Sequence, residues 1–160
     1  MPNLTTLRIF DGRPRTGVTV FRELARAPVF PCLKYLRLNF CDLRVADLSL
    51  LVSKHLVTLE RLALCNLLLA DGSINPLRML LHALRNAATS HLLSDVEMAT
   101  NMVDGFDVVF PALEGAFDYE LDDPDFEGWQ KVKHDRKVEL IGKEETIAGL
   151  GTMIDCIELR

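Results

Sequence analysis

Two stretches of the chain carry the same skeleton of apolar positions, Leu-x-x-Leu-x-Leu-x-x-Cys/Asn-x-Leu, and no other feature limits the fold as strongly. Leu33, Leu36, Leu38, Cys41 and Leu43 fill it completely, while Leu93, Val96, Met98, Asn101 and Val103 fill it with apolar substitutions. Partial copies stand at Leu4, Leu7 and Ile9, at Leu59, Leu62 and Leu64, and at Ile154, Ile157 and Leu159. A single match carries little weight in a chain that is 49% hydrophobic, since three fixed apolar positions are met by accident roughly one time in eight. Spacing carries more. The frames begin at 4, 33, 59, 93 and 154, so the steps are 29, 26, 34 and 61 residues, the last close to two average units.

Self-similarity at such a period is the signature of a leucine-rich-repeat solenoid, in which each unit buries its leucines only against its neighbours. The expected fold is therefore α/β: one repeat domain over 1–160, with concave parallel strands, convex helices and an irregular acidic insertion at about 104–143. Within a unit, a short strand sends alternate residues inward. The Cys or Asn then marks the point where the chain leaves the strand, and a small polar side chain there can satisfy turn backbone groups. Cys41 accordingly reads as an inert buried thiol. Helical spacing fills the gaps between frames: Val18, Phe21, Leu24 and Ala25; Leu48, Leu51, Val52 and Leu56; and, after Pro76, Leu77, Leu80, Leu81, Leu84 and Ala88. Both ends read as incomplete, as in a piece of a longer repeat protein.

Composition excludes several classes of function. No uninterrupted apolar run reaches the length of about 18 residues that a membrane span needs. Cys32, Cys41, Cys65 and Cys156 lie far apart without a Cys-x-x-Cys pair, which fits reduced thiols in a cytoplasmic or nuclear protein. His55, His82, His91 and His134 show no metal-ligand spacing with those cysteines and read as surface or capping side chains; no metal and no cofactor is expected. Neither Gly-x-Gly-x-x-Gly nor a phosphate-binding loop occurs, and the adjacent acids Asp122 and Asp123 belong to a solvated charge run. The reading is not an enzyme. Arg8, Arg13, Arg15, Arg22, Arg26, Arg37 and Arg61 make the first half basic, yet the net charge is −5 and the isoelectric point about 5.3, opposite to the footprint of a nucleic-acid binder.

That net charge is unevenly spread. Residues 1–80 hold 11 Lys/Arg against 6 Asp/Glu, whereas residues 81–160 hold 7 against 17. Because a solenoid keeps sequence order as spatial order, a basic-to-acidic gradient along the strands is expected. Between Asp104 and Lys143 the period fails: acids crowd residues 114–127, bases follow, and Trp129 lies between them as either a binding anchor or a pin for a long loop.

The run Phe30-Pro-Cys-Leu-Lys-Tyr-Leu-Arg-Leu-Asn-Phe-Cys-Asp-Leu43, followed by His55-Leu-Val-Thr-Leu-Glu-Arg-Leu-Ala-Leu64 and Leu69-Ala-Asp-Gly-Ser73, resembles the leucine-rich-repeat (ribonuclease-inhibitor-like) part of fungal F-box-type proteins. The resemblance covers about half the chain. It implies a repeat surface that chooses a protein substrate for a cullin-containing ubiquitin ligase; no F-box-like segment precedes Leu4, so ligase recruitment is not assigned to these residues. Side chains alternate along a strand, so positions three, five and seven of each frame should face the concave side. Arg8, Phe10, Tyr35, Arg37, Asn39, Arg61, Asp95 and Glu97, with Trp129 from the insertion, are the expected partner-binding residues, and Cys156, Glu158 and Arg160 are placed on a fifth strand. The expected function is non-catalytic recognition of a protein partner, without nucleic acid or membrane; the alternative is a truncated repeat segment that associates with another chain or with itself through uncapped ends.

Overall fold

The computed structural model describes residues 4–10, 17–70, 74–99, 101–113 and 137–160, the side chains of 17–20 excepted. In chain order these form β1 (Thr6–Phe10), α1 (Gly17–Arg26), β2 (Tyr35–Asn39), β3 (Asp42–Arg44), α2 (Val45–Ser53), β4 (Arg61–Cys65) and β5 (Leu68–Ala70). There follow α3 (Ile74–Ser90), β6 (Asp95–Ala99), β7 (Met102–Val103), β8 (Phe106–Val109), β9 (Lys137–Ile141), α4 (Lys143–Cys156) and β10 (Glu158–Leu159). The described residues thus build a mixed α/β structure of two five-stranded sheets and four helices.

The larger sheet runs β1-β2-β4-β6-β9. Each of its first four strands starts two residues after the first apolar residue of a frame, and all four pair in parallel with the frames in step: Leu7, Leu36, Leu62 and Val96 are successive Cα partners. A slip by one residue would turn those side chains to the other face, so the buried leucine rows themselves specify the register. Leu36, Leu38, Leu62, Leu64, Val96 and Met98 are all at most 2% exposed and belong to one core with the inward faces of the helices. The last apolar position of the frame recurs in the smaller sheet, where Leu43, Leu69 and Val103 are also successive parallel partners.

Between the two strands of a unit the chain turns sharply. Phe40 and Asn66, equivalent in their frames, both take positive φ, 54° and 52°, a conformation that suits Asn better than a bulky residue. The Cys/Asn slot comes next and behaves as its chemistry suggests. Asn101 is buried, its Oδ1 accepting from the N–H of Leu67 at 3.1 Å and its Nδ2 donating to the carbonyl of Leu64 at 3.0 Å. Cys41 points its thiol at the carbonyl of Asn39, 3.3 Å away. Buried turn groups that would otherwise lack partners are satisfied by the neighbouring unit.

The second half departs from the expected repeat. Ile154 and Cys156 lie in α4, and β10 pairs antiparallel with β8 at the edge of the smaller sheet, so the frame at 154 supplies no strand to the larger one. The spacing of Ile154 and Ile157 fits a helical face as well as a frame, and continuity with Leu150 and Met153 decides for the helix. The fifth place is taken by β9, which enters antiparallel to β6. Nor is 104–143 irregular throughout. Asp104 and Gly105 both have positive φ (48° and 86°) and close a hairpin between β7 and β8, the Asp-Gly turn of short hairpins. The acidic run at 114–127 and Trp129 lie outside the described residues.

Candidate functional site

The face of the larger sheet that turns away from the leucine core collects the polar and aromatic positions of the frames. One row across the parallel strands is Thr6, Tyr35, Arg61 and Asp95; the next is Arg8, Arg37, Ala63 and Glu97; the third is Phe10, Asn39, Cys65 and Ala99. β9 extends them with Ile141, Glu139 and Lys137. Eight of the nine expected contact residues therefore share one face, and the ninth, Trp129, is outside the described residues.

Their surroundings differ. Arg8, Phe10 and Arg61 are exposed, while Tyr35, Arg37, Asn39, Asp95 and Glu97 are half-buried. Ala63, Cys65 and Ala99, expected to point outward, do so but are covered: they form a small cluster with Tyr35 beneath the longer side chains of the rows. Short side chains between long ones on a pleated surface lose their access to water. Cys156, Glu158 and Arg160 are absent from this face altogether, and Glu158 and Arg160 pair with each other at 3.0 Å.

Ionic contacts divide the face into two halves. Arg61 and Asp95 meet at 2.8 Å, and the other oxygen of Asp95 accepts from the N–H of Gly142 at 3.0 Å, so this carboxylate braces the turn into α4. Lys137 stands between Glu97 (3.2 Å) and Glu139 (3.1 Å). Partial burial works against the Lys137 charge, but its hydrogen bonds to Glu139 and Glu97 outweigh that and hold the ammonium above its ordinary value. On the other half, the guanidinium of Arg8 lies over the Tyr35 ring, 5.3 Å from its centroid, a cation–π arrangement. Phe10 and Phe40 meet edge to face with centroids 5.3 Å apart, and both rings are substantially exposed.

Burial, and then the negative charge of Glu97 beside it, pushes the Cys65 thiol up to about 12, so the nucleophilic thiolate is scarce at neutral pH. Among the described residues no group of three or more His, Cys, Asp or Glu side chains could hold a metal ion. Among them too, no helix is long and apolar enough to cross a membrane. A groove of about 420 Å³ opens between α2 and α3, lined by Leu50, Leu56, Met79 and Leu80 with Ser49 and Ser53 as its polar side chains and no charged group.

No family model, curated protein or solved structure matches the chain. The reading of the open face rests on its own residues.

Several of those residues escape a frame-based search. Lys137 and Glu139 are contributed by β9, whose alternation of Lys137, Val138, Glu139 and Leu140 is the signal that could have marked a half-buried strand. Phe40 belongs to a turn position, and only its positive φ brings its ring against Phe10. His55, expected as a surface or capping side chain, is 2% exposed and bonds the carbonyl of Leu51 near the end of α2, so of the two readings the capping one fits.

Proposed function

We propose that the chain is a non-catalytic protein-recognition module of the leucine-rich-repeat type, acting in the cytoplasm or nucleus as the substrate-reading part of an F-box-type ubiquitin-ligase adaptor. The observation that carries this reading is the in-step stacking of the frames: it gathers Arg8, Phe10, Tyr35, Arg37, Arg61, Asp95 and Glu97 on one face while the leucines anchor the strands from behind. A surface built on packed strands presents side chains with little ordering cost on binding, and Tyr and Arg are the residue types that most often dominate interfaces. Four free cysteines suit a reducing compartment.

A photo-crosslinking residue placed at Tyr35, with a second set at Met79 on the helical side, tests the proposal in cells of the source organism. Discrete adducts from position 35 that unlabelled protein competes away, together with loss of those adducts and slower turnover of the adducted protein when Arg37 is replaced by Glu, are the expected result. Equal adducts from both positions, or none from position 35, would remove the open face as the recognition surface.

A further inference from the structure

The open face contains two in-register pairs of like charge, and the chain treats them differently. Glu97 and Glu139 are direct partners across β6 and β9, and Lys137 supplies their counter-ion from 3.2 and 3.1 Å. Arg8 and Arg37 are direct partners across β1 and β2, strands about 4.8 Å apart. Like charges placed directly opposite each other disfavour the sheet. Among the described residues, however, no carboxylate comes within ion-pair distance of either guanidinium; Arg37 has a side-chain hydrogen bond with Tyr35 and feels the charge of Glu97 from farther off. The nearest cation along the face, Arg61, is already matched by Asp95. The basic-to-acidic order expected along the strands thus persists on this face: Lys137 offsets one of the two carboxylates at the acidic end, and the basic end holds a twin-guanidinium site.

Two features beside that site say what kind of ligand fits it. Arg8 is held over the Tyr35 ring, which fixes the guanidinium plane without satisfying its N–H donors. Two residues further along the same strand, Phe10 is 49% exposed and leans on Phe40, itself 39% exposed, so an aromatic ledge begins one strand repeat, about 7 Å of backbone, beyond Arg8. A free anion would use the guanidiniums and ignore the ledge.

We propose that Arg8, Arg37 and the Phe10–Phe40 ledge form the docking site for an acidic polypeptide segment, a carboxylate of which bridges the two guanidiniums while a neighbouring apolar side chain covers the ledge. The proposal rests on the recognition reading above and deepens it by naming the partner's chemistry. The carboxylate does for Arg8 and Arg37 what Lys137 does for Glu97 and Glu139. Planar bidentate donors suit carboxylate oxygens, and the basic balance of residues 1–80 draws an acidic segment to this end of the sheet.

The test is fluorescence anisotropy with three pools of short labelled peptides, equal in length and random in sequence, with net negative, zero or positive charge. The negative pool is expected to bind best and to weaken as salt rises. Its binding should fall by about tenfold or more in Arg8→Ala, the loss of one such charge pair, and should change by less than about twofold in Arg85→Ala, an exposed arginine of α3 outside the open face. Phe10→Ser should weaken it as well, and inorganic phosphate at matched ionic strength should not displace it. Arg8 is exposed on its strand, so this single variant keeps its fold even if an Arg8/Arg37 double variant does not. No preference for the negative pool, a preference that survives Arg8→Ala, or displacement by phosphate alone would each overturn the proposal. Binding of the neutral pool that Tyr35→Ala abolishes, without acidic preference, would do so while leaving the recognition face standing; no binding by any pool would remove both.

Discussion

The imidazole Nε2 of His55 accepts a hydrogen bond from the backbone N–H of Phe30, 3.1 Å away and 25 residues earlier in the chain. Its Nδ1 lies 2.7 Å from the carbonyl of Leu51, an end-of-helix acceptor, so the ring carries its proton on Nδ1 and offers a lone pair at Nε2. The Phe30 ring stacks on the imidazole with centroids 5.6 Å apart. Beside it Lys54 donates to the carbonyls of Ala25 and Ala27, closing the end of α1. One residue thus ties the end of α2 to the segment that leads into the frame at 33.

Replacing His55 with Ala should destabilise the protein by about 2–4 kcal/mol, since it leaves a buried N–H and a helix-end carbonyl without partners and opens a cavity. His82 is exposed, and His82→Ala should stay within about 0.5 kcal/mol. Urea titration of the two variants checks the contrast. Equal effects would mean that the imidazole bridge does not support the fold.

Leu36 and Leu62 are Cα partners on adjacent strands and are at most 1% exposed. Each change to Ala should cost about 2–5 kcal/mol through lost burial and the residual cavity. Because the two sites touch the same core, the double variant should depart measurably from the sum. Denaturation midpoints with unchanged slope report these values; a loss below about 0.5 kcal/mol for both would contradict the register.

Two glycines of α4 should respond in opposite directions to the same change. A Cβ at Gly149 would overlap the buried side chain of Leu140 on β9, whereas one at Gly151 would meet Arg85 at an ordinary 3.4 Å. Gly149→Ala is therefore expected to cost about 1–3 kcal/mol. Gly151→Ala should be neutral or gain up to about 1 kcal/mol from helix propensity. Thermal melts of both variants settle the sign.

The Cys65 thiol makes the fold sensitive to alkali. Its folded value is near 12 against an ordinary 9.0, so between these limits the folded chain keeps a proton that the unfolded chain has lost. The stabilisation is full below about pH 9 and is lost as pH rises toward 12. Cys65→Ser should flatten the decline in stability across that window relative to the parent, measured by urea titration at successive pH values. Alkylation of the folded protein at neutral pH should also reach half-buried Cys156 well before Cys65. Comparable labelling rates would place Cys65 in a more open setting.

Much of the larger sheet was legible in the sequence because its signal is local and repeated. A strand shows its two faces as alternation, and a frame that recurs four times leaves one pairing in which Leu7, Leu36, Leu62 and Val96 share a buried row. The same alternation placed Arg8, Tyr35, Arg37 and Glu97 together on the opposite face. Asn101 was legible too, since a polar residue in an apolar frame needs turn groups to bond.

Tertiary structure alone decided the rest, wherever two readings were equal along the chain and differed only in what lay beside it. Ile154 and Ile157 could serve a helix or a strand, and packing of α4 against α3 and β9 chose the helix. Lys137–Ile141 joined the sheet antiparallel because β6 offered an open edge, a contact between distant residues that no period announces. His55 became a buried bridge only where Phe30 came to meet it. Most consequentially for binding, the sequence determined that Arg8, Arg37, Arg61, Asp95 and Glu97 lie on one face, but charge neutralisation depends on which side chains come within bonding distance. The order of strands gave Arg61 its Asp95 and Glu97 its Lys137, and left Arg8 beside Arg37.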